Sequence, residues 1–576
     1  MVQGELLLLL AIHLALTGLP GVAVALFVAS RGERREPVLL ASFLAASGGA
    51  AMLVFWGFYG SHEIGQTLSF LVAFGSVLLA GWSLYVGEIE AGLLRRLAVP
   101  MALWALGSAF LVYLGFMHGG SDVSVGMSST RFSGPLPSDN DIPHFFSDWF
   151  FVHGHHGTPP IFPGEWLASD RPPLQIAYAN YERTFGWDNL GLHYQVMGVV
   201  LQQLWIVGLW ALLVAGRAGR VTRGLAMLTV LLSDIAIVNG FFVWPKLLPA
   251  AMLLGAAALV ITPLWSELRH SLWGAALVAA LLGLAMLGHG ASIFGVIPLL
   301  VVAAIRGLPS WRWIGVGLLV AALFVAPWSA YQSWGDPPGN RLSKWFLGGV
   351  AEIDDRSTTE AIVDGYRDAG IGGTLHNKGQ NFVQIFGGGP LATNVEQIFE
   401  ADDFEEVVRP IRSISFYYLL PSLGLLLAGP VAMAIGYRRR GRDPDEWSLA
   451  LWCFAVFGVG TLAWGLIMFG GSIAQSVIHQ GSYLLPLIGI AACAVGLRAV
   501  YPRFACWWLG LNAVLMLVVY VPAFEPAEGS SFSLGAAMLA AFALAAFCFL
   551  ALWRQAGGDV PAPAEGRPST AIDSPA

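Results

Sequence analysis

Charged residues are scarce in this sequence. Asp, Glu, Lys and Arg together make up 12% of its 576 residues, whereas 56% of the residues are hydrophobic and the mean hydropathy is +0.66. A soluble chain carries about twice that share of charge, so an ordinary soluble protein is excluded. The net charge of −7 is too diffuse to indicate a partner, and no nucleic-acid partner is expected.

Cysteine is also scarce, and basic residues are missing before the first apolar segment. The four cysteines are Cys453, Cys493, Cys506 and Cys548. All four fall in apolar runs, which excludes an external disulfide framework and a cysteine-based zinc site. No Lys or Arg precedes the first apolar segment, which argues against a cleaved signal peptide with a basic start.

Long apolar runs are abundant instead. Runs of about 18 or more residues recur from end to end, which predicts an all-α polytopic membrane protein. We expect about fifteen spans, at 5–29, 37–59, 66–87, 97–116, 192–215, 223–241, 243–263, 271–288, 290–305, 311–331, 412–436, 447–470, 475–497, 504–523 and 533–553.

The placement of arginine predicts the topology. The short connections between these spans are alternately rich in Arg and nearly free of basic residues, Lys246 being the one exception. Because basic loops stay in the cytoplasm, we expect the N-terminus outside and the C-terminus inside. The arginine-rich connections are 31–36, 88–96, 216–223, 264–270, 305–312, 437–446 and 498–503.

Two long connections, 117–191 and 332–411, then fall on the outer face. The cytoplasmic loops are too short to hold an active site, so we expect water-soluble chemistry outside, with the cell membrane of a bacterium as the setting. The predicted organisation is 1–96 as additional spans, 97–331 as a core with the first loop, 332–411 as a second loop or flap, 412–553 as later spans and 554–576 as a disordered tail.

The first loop holds the motifs that suggest chemistry. Asp139 and Asp141 precede the helix-like stretch "IPHFFSDWF". Asp141 before Pro143 suits a helix N-cap, but a cap does not require a second carboxylate. A carboxylate with a neighbour that tunes it suits a general base. In "EWLASDRPPLQ", Asp170 and Arg171 precede two prolines, and a rigid Arg there suits a lipid phosphate. A surface turn is the alternative.

These motifs resemble the GT-C superfamily of integral-membrane glycosyltransferases. The likeness covers an acidic pair after a span, an interfacial helix, an aromatic-Pro stretch and an acidic-basic-Pro-Pro-Leu box. It is nearest to the aminoarabinose and protein-mannose transferase type, whose box is Glu-Lys-Pro-Pro-Leu. The resemblance extends in layout over about 97–412, with seven spans and a long outer loop after the first and after the last of them.

This resemblance implies an inverting transfer of a sugar from a polyprenyl phosphate donor to a glycan, lipid or protein acceptor. Asp141, or Asp139, would be the catalytic base, and Asp170 a second acidic residue of the site. Arg171 would lie near the lipid phosphate. Many relatives carry an Arg-Tyr pair in a later span, where this chain has His479, Gln480 and Tyr483 without an Arg.

Further candidates follow from the residues themselves. Lys246 lies at the outer end of its span, where it would meet a lipid phosphate or extend to the interface. His289 lies at an outer turn, near the donor phosphate and the place where an acceptor would enter. Asp234, in mid-span, suits helix packing or a protonated carboxyl group. In the second loop, "TTEAIVDGYRDAG" predicts an amphipathic helix. The glycine-rich stretch after it, with His376, Lys378 and Gln380, suits a mobile flap or a linker.

Metal binding and other functional classes remain open. A divalent cation held by Asp139 and Asp141 would assist departure of a phosphate, whereas His153, His155 and His156 lack the spacing of a typical site. A transporter or flippase of a lipid-linked or small polar substrate is one alternative, with buried Asp234 and His13 in its pathway. A polysaccharide polymerase or ligase that uses a diphosphate-linked lipid is another.

Overall fold

The computed structural model of the chain is helical throughout its described part. It describes residues 2–118, 125–132, 136–186, 190–385, 388–412, 422–437, 444–470, 481–522 and 534–552. Within those ranges the only strand-like pairing is an isolated bridge between Phe162 and Trp166. The all-α prediction is therefore confirmed for the described residues.

Twenty-four α-helices follow one another along these ranges. They are α1 (Val2–Ser30), α2 (Glu36–Gly60), α3 (His62–Val86), α4 (Ala91–Met117), α5 (Asp141–His153), α6 (Leu174–Arg183), α7 (Leu190–Gln202), α8 (Trp205–Ala215), α9 (Arg220–Leu231), α10 (Asp234–Phe242), α11 (Leu247–Val260), α12 (Trp265–Leu268), α13 (Leu272–Gly288), α14 (Ile293–Arg306), α15 (Trp311–Ala330), α16 (Arg341–Gly348), α17 (Thr358–Ile385), α18 (Gly388–Glu400), α19 (Phe404–Ile411), α20 (Ser422–Tyr437), α21 (Pro444–Ile467), α22 (Leu484–Val500), α23 (Pro502–Tyr520) and α24 (Leu534–Leu552).

The apolar helices fit a multi-pass membrane protein. Among the described residues, nine helices are long and apolar enough to cross a membrane. The count becomes ten if α9 and α10, which meet at an angle of 57°, form one broken span, and four shorter apolar helices accompany them. The total of fifteen spans and their orientation stay predictions.

The break between α9 and α10 changes the setting of Asp234. The sequence suggests a mid-span position, but Asp234 lies in the first turn of α10, directly after the break, and is fully buried. It faces the hydroxyl group of Tyr520 on α23. A polar contact between two helices fits the predicted packing role.

The centre of the bundle is α11, in which every residue is buried. It packs against α2, α8, α13 and α14. A Cβ atom on Gly208 of α8 would lie 2.6 Å from the carbonyl oxygen of Ala251, so glycine is required for this close approach. The core thus brings the ends of α10, α11 and α13 together.

The first long loop covers one end of this bundle, called the loop end below. Its helix α5 agrees with the prediction from "IPHFFSDWF". Helix α6 packs against α2 and is buried along 174–182. Its Glu182 accepts a hydrogen bond from the Thr17 hydroxyl and lies 2.6 Å from Nδ1 of His13, both on α1.

The second long loop is also mainly helical. Helix α17 consists of two helical segments that meet at Gly370, where φ is +60°. The glycine-rich stretch after Gly370, for which the sequence suggests a flap or a linker, is helical to Ile385. Its Asn381 donates hydrogen bonds to the carbonyl oxygens of Gly465 and Met468 at the end of α21, both at 3.0 Å. Docking on α21 offsets the low helix propensity of glycine.

Candidate functional site

Arg171 is held at the loop end by two prolines and a carboxylate. Its backbone is extended (φ −116°, ψ 113°), as expected before proline, and α6 begins just after Pro172 and Pro173. The guanidinium is buried and forms an ion pair with Asp139. Two residues from separate motifs of the first loop therefore meet.

Trp166 lies between two guanidinium groups, an arrangement that the sequence did not suggest. Arg171 lies 4.0 Å and Arg341 4.2 Å from its ring centroid. Arg341 begins α16 and also donates to the backbone carbonyls of Glu165 and Ala351. The two long loops are thus joined at this indole by cation–π contacts.

Asp170 holds the turn before Arg171. Its Oδ2 accepts a hydrogen bond from the Leu167 amide at 3.0 Å. Burial raises the pKa of Asp170, although Arg341 and Arg171 act in the opposite direction. Its Oδ1 has no hydrogen-bond partner within the described ranges. The predicted second acidic residue is therefore both a structural group and an available acceptor.

Lys246 lies where α10 turns into α11. Val243 in this turn has a left-handed backbone (φ 54°, ψ 21°), which is strained for a β-branched residue. The turn is held by Gln175, which donates to the Val243 carbonyl at 2.9 Å, and by Gln202, whose oxygen accepts from the amides of Leu247 and Leu248. Such bonds fix the backbone that carries Lys246.

The ammonium group of Lys246 is surrounded by aromatic rings. It lies 4.3 Å from the ring centroid of Trp244 and 5.3 Å from that of Tyr483. The residue is 2% exposed, and Nζ has no hydrogen-bond partner in the part of the chain that is described. Asp139 and Arg171 lie within Coulombic range. A buried charge with this surrounding is costly unless an anion binds to it.

His289 completes the group. Its Nδ1 accepts a hydrogen bond from the Ala291 amide at 3.0 Å. Burial, with the positive charges of Lys246 and Arg171, lowers the pKa of His289 well below its usual range. The neutral ring then carries its proton on Nε2, which has no hydrogen-bond partner among the described residues. The structure thus brings together Arg171, Lys246 and His289 beside Asp139, and we call these four residues the cation cluster.

An apolar groove lies beside this cluster, although none of the four cluster residues lines it. A cavity of about 430 Å³ is lined by both neighbours of Arg171, namely Asp170 and Pro172, and by Leu287 and Gly290 on either side of His289. A second cavity of about 360 Å³ continues between α13, α14 and α15. The two cavities share Met286 and Val325 as lining residues.

The groove ends at two tryptophans. Trp265 and Trp313 line its far end with ring centroids 5.4 Å apart. Helix α15 forms one wall along the groove, from Trp313 at the far end to Ser329 at the near end. At 1.5 Å per residue, this part of the helix is about 24 Å long. The groove therefore runs through most of the thickness of a bilayer core.

Asp141 follows Asp139 of the cluster by two residues, but its side chain has different neighbours. Asn140, and not Asp141, is the N-cap of α5, and no side chain caps the helix. The Asn140 side chain donates to the Val125 carbonyl at 2.7 Å and to the Ser128 hydroxyl at 2.8 Å. The Asp141 side chain is 38% exposed, and its Oδ1 lies 3.3 Å from Nδ1 of His144. An anchored Asn140 thus separates two carboxylates with different neighbours.

The remaining predicted residues are distributed elsewhere. Lys378 donates to the Tyr366 hydroxyl at 2.7 Å and to the Met468 carbonyl, which is a structural contact. His376 and Gln380 share α17 with it, and His376 is exposed. Tyr483 lies at the cation cluster, where it donates to Asn239 at 3.2 Å. His479 and Gln480 lie outside the described residues.

The histidines considered as metal ligands have other contacts in the structure. Nδ1 of His155 lies 2.9 Å from the Tyr59 carbonyl oxygen, and the His153 ring packs against Trp149. In the described ranges, no three residues among His, Cys, Asp and Glu lie together as a metal-ligand set. A divalent cation at Asp139 and Asp141 stays a prediction.

Comparison with known proteins gives no match: no family model matches the sequence, and no curated protein or solved structure is similar to it.

Proposed function

We propose that the chain is a membrane glycosyltransferase. It moves a sugar from a polyprenyl phosphate donor to an acceptor hydroxyl group, at the outer face of the cytoplasmic membrane. The observation that carries the proposal is the position of the cation cluster beside one end of a long apolar groove, which is lined by the sequence neighbours of Arg171 and His289. This arrangement complements a ligand with an anionic head and a long apolar tail.

The head of the donor suits the cation cluster. Arg171, which is paired with Asp139, and the buried Lys246 both supply hydrogen-bond donors for the phosphate, and a bound anion would offset the cost of burying the Lys246 ammonium. His289 adds a neutral N–H donor. A phosphate that takes its hydrogen bonds from these groups satisfies the Lys246 ammonium and the His289 Nε2, which otherwise remain buried without a partner among the described residues.

The tail of the donor suits the groove. Its walls are almost entirely apolar side chains of α13, α14 and α15. Burial of a hydrocarbon chain contributes about 0.8 kcal/mol for each CH₂ group. A tail that fills a groove about 24 Å long therefore adds considerable affinity without adding selectivity for a particular sugar.

The reaction is a single displacement at the anomeric carbon. An acceptor hydroxyl group loses its proton to Asp141, and its oxygen forms the new bond to that carbon. The bond from the carbon to the phosphate oxygen breaks, and polyprenyl phosphate leaves with the electron pair. Arg171 and Lys246 stabilise the leaving phosphate, and the anomeric configuration is inverted.

Asp141 suits the role of the base better than Asp139 does. The Asp139 carboxylate is occupied by its ion pair with Arg171. The Asp141 carboxylate is more exposed and has His144 as its neighbour. Asp139 then positions Arg171, and Asp141 accepts the proton.

A transfer assay tests the proposal. The purified protein is incubated with a panel of polyprenyl-phosphate sugars, and the release of polyprenyl phosphate is measured for wild type, Asp141→Asn and Asp148→Asn. We expect Asp141→Asn to lower kcat by about 10²–10⁴. Asp148 is a matched control, because it lies on the same helix and pairs with Arg183. Equal rates for the two variants would show that Asp141 is not the base.

A lipid flippase is the second candidate, favoured by the same cluster and groove. These features bind a lipid phosphate whether or not a sugar is transferred. A flippase would move fluorescent polyprenyl phosphate across a liposome membrane without releasing sugar, and Asp141→Asn would leave that movement unchanged. The two activities are measured on the same preparation.

A further inference from the structure

Asp141 has a histidine beside it on the same helix. Oδ1 of Asp141 lies 3.3 Å from Nδ1 of His144, three residues further along α5. This distance is at the long end for a hydrogen bond, as is common for catalytic groups before a substrate binds. His144 is therefore placed to donate from Nδ1 to one oxygen of the carboxylate, which leaves the other oxygen for a substrate.

The His144 ring is held against Tyr194. The two ring centroids lie 4.6 Å apart. Tyr194 is buried, and its hydroxyl group accepts a hydrogen bond from the Gln175 side chain at 2.6 Å and donates one to the Asn140 carbonyl oxygen at 3.3 Å. A ring packed on such an anchored neighbour has little freedom to rotate, so Nδ1 stays directed at Asp141.

The other nitrogen of the ring has no competing partner. Nε2 of His144 is buried and has no hydrogen-bond partner among the described residues. His144 also lines a cavity of about 20 Å³, which has room for one water molecule. The charged residues on this cavity, Asp148 and Arg183, form an ion pair with each other. Within the described part of the chain, Asp141 is thus the hydrogen-bond partner of the His144 ring.

The same contacts connect His144 to the cation cluster. Gln175 donates to the Tyr194 hydroxyl group and also to the carbonyl oxygen of Val243, in the turn before Lys246. One buried side chain therefore holds both the neighbour of His144 and the backbone that carries Lys246. The orientation of the proposed base is fixed relative to the proposed phosphate site.

We propose that His144 is a positioning residue for Asp141, an inference that rests on the proposed glycosyl transfer. The Nδ1–H group of His144 bonds to Oδ1 of Asp141, so that Oδ2 faces the acceptor. The proton moves from the acceptor hydroxyl oxygen to Oδ2, and no bond to the imidazole forms or breaks. His144 acts through Asp141 and not on the sugar or the phosphate.

The test is the transfer assay with variants that separate the ring from its nitrogen atoms. His144→Phe keeps a ring against Tyr194 and removes the donor. Its kcat should fall about 10- to 100-fold with little change in KM, because a hydrogen bond to a charged group is lost. His144→Asn keeps an N–H donor close to the position of Nδ1 and should recover most of the rate. His144→Gln places its donor near the position of Nε2, should stay slow, and serves where His144→Phe does not fold.

A double variant shows whether His144 acts through Asp141. Because Asp141→Asn already removes the base, adding His144→Phe to it should lower kcat no further, whereas a purely structural effect would add to the loss. His153→Phe is the matched control. His153 is an exposed histidine at the end of the same helix, and its ring packs against Trp149. This variant should keep the wild-type kcat.

The outcomes distinguish this inference from the proposed function. A rate that is lost in His144→Phe and recovered in His144→Asn supports the positioning role. An active wild type would overturn the role, and leave the proposed function in place, if all His144 variants are equally active, if His144→Asn is as slow as His144→Phe, or if the losses in the double variant add. No release of polyprenyl phosphate by wild type from any donor would overturn the proposed function and this inference together.

Discussion

The substitution Lys246→Met separates a ligand-binding role from a structural one. Lys246 is 2% exposed, its ammonium group lies near the rings of Trp244 and Tyr483, and Nζ has no hydrogen-bond partner in the described ranges. Replacing such a buried charge by an apolar side chain of similar length removes the cost of its desolvation. Comparable replacements of buried ionic groups are neutral or stabilising by about 1–4 kcal/mol. We therefore expect the unfolding midpoint to stay the same or to rise.

The affinity for an anionic lipid should change in the opposite direction. A hydrogen bond between charged groups contributes about 1.5–3 kcal/mol, so the variant should bind farnesyl phosphate about 10- to 100-fold more weakly. Isothermal titration calorimetry measures this affinity, and thermal unfolding in the same detergent measures stability. A rise in stability with a loss of affinity is the signature of a residue kept for binding.

Lys344→Met is the matched control. Lys344 is also buried, but it donates to the Asp354 carboxylate at 2.6 Å and to the Asp354 carbonyl at 2.9 Å. Its loss removes both hydrogen bonds and leaves Asp354 with Arg356 alone, so we expect a loss of about 1–3 kcal/mol in stability and unchanged binding. If Lys246→Met destabilises the protein as much as Lys344→Met and keeps full affinity for farnesyl phosphate, the reasoning about the cation cluster is refuted.

Three further predictions concern the groove and the first loop. Met286→Trp should fill the groove where its two cavities join, which costs about 1–3 kcal/mol of tail binding. Turnover of long-chain donors and binding of farnesyl phosphate should both fall, while binding of methyl phosphate, which has no tail to reach Met286, is kept, and an equal loss for methyl phosphate would contradict this. Asn140→Ala removes two hydrogen bonds and should cost about 1–3 kcal/mol, seen as faster hydrogen exchange in α5. Unchanged exchange there would show that Asn140 is not the anchor. Burial raises the pKa of Glu182 well above its usual value, so stability falls as pH rises from the unfolded-state pKa of about 4.3 toward the raised folded-state pKa. Glu182→Gln, which does not titrate, should flatten this decline in the thermal midpoint between pH 5 and pH 9, and an equal slope in both proteins would contradict the assignment.

Local sequence patterns were sufficient for the helical elements. The apolar runs predict the all-α class, and the aromatic spacing after Asp141 predicts α5, because both depend on residues close together in the chain. The N-cap of α5 was wrong by one residue. Asn140 is at that position, and its side chain bonds backward to 125–128, a contact that depends on how the loop folds.

The members of the candidate site were predictable by type, but their partners were not. A lysine, a histidine and an arginine beside apolar spans each attract attention individually. The ion pair of Arg171 with Asp139 and the stacking of Arg341 on Trp166 join residues far apart in sequence. Such pairs depend on the packing of the two loops, which no periodicity encodes.

The glycine-rich stretch shows tertiary contacts overriding propensity. Glycine favours a flexible segment, yet the second half of α17 is helical. Lys378 and Asn381 both donate hydrogen bonds to the carbonyl group of Met468, just after the end of α21. The backbone acceptors of another helix thus compensate for the weak intrinsic tendency of this sequence to form one.

The stacking of Trp166 between Arg171 and Arg341 has a consequence for substrate exchange. The two guanidinium groups and the backbone bonds of Arg341 tie the two long loops together beside the near end of the groove. Helix α15, by contrast, forms one wall of the groove and is buried only at Trp313, Gly317 and Trp328, so few contacts hold this wall in place. We expect a lipid to enter and leave on the α15 side of the groove, by diffusion in the plane of the bilayer. The cation–π contacts at Trp166 would stay in place during this exchange. Exchange would then depend on the fluidity of the surrounding lipid more than on any motion of the loops.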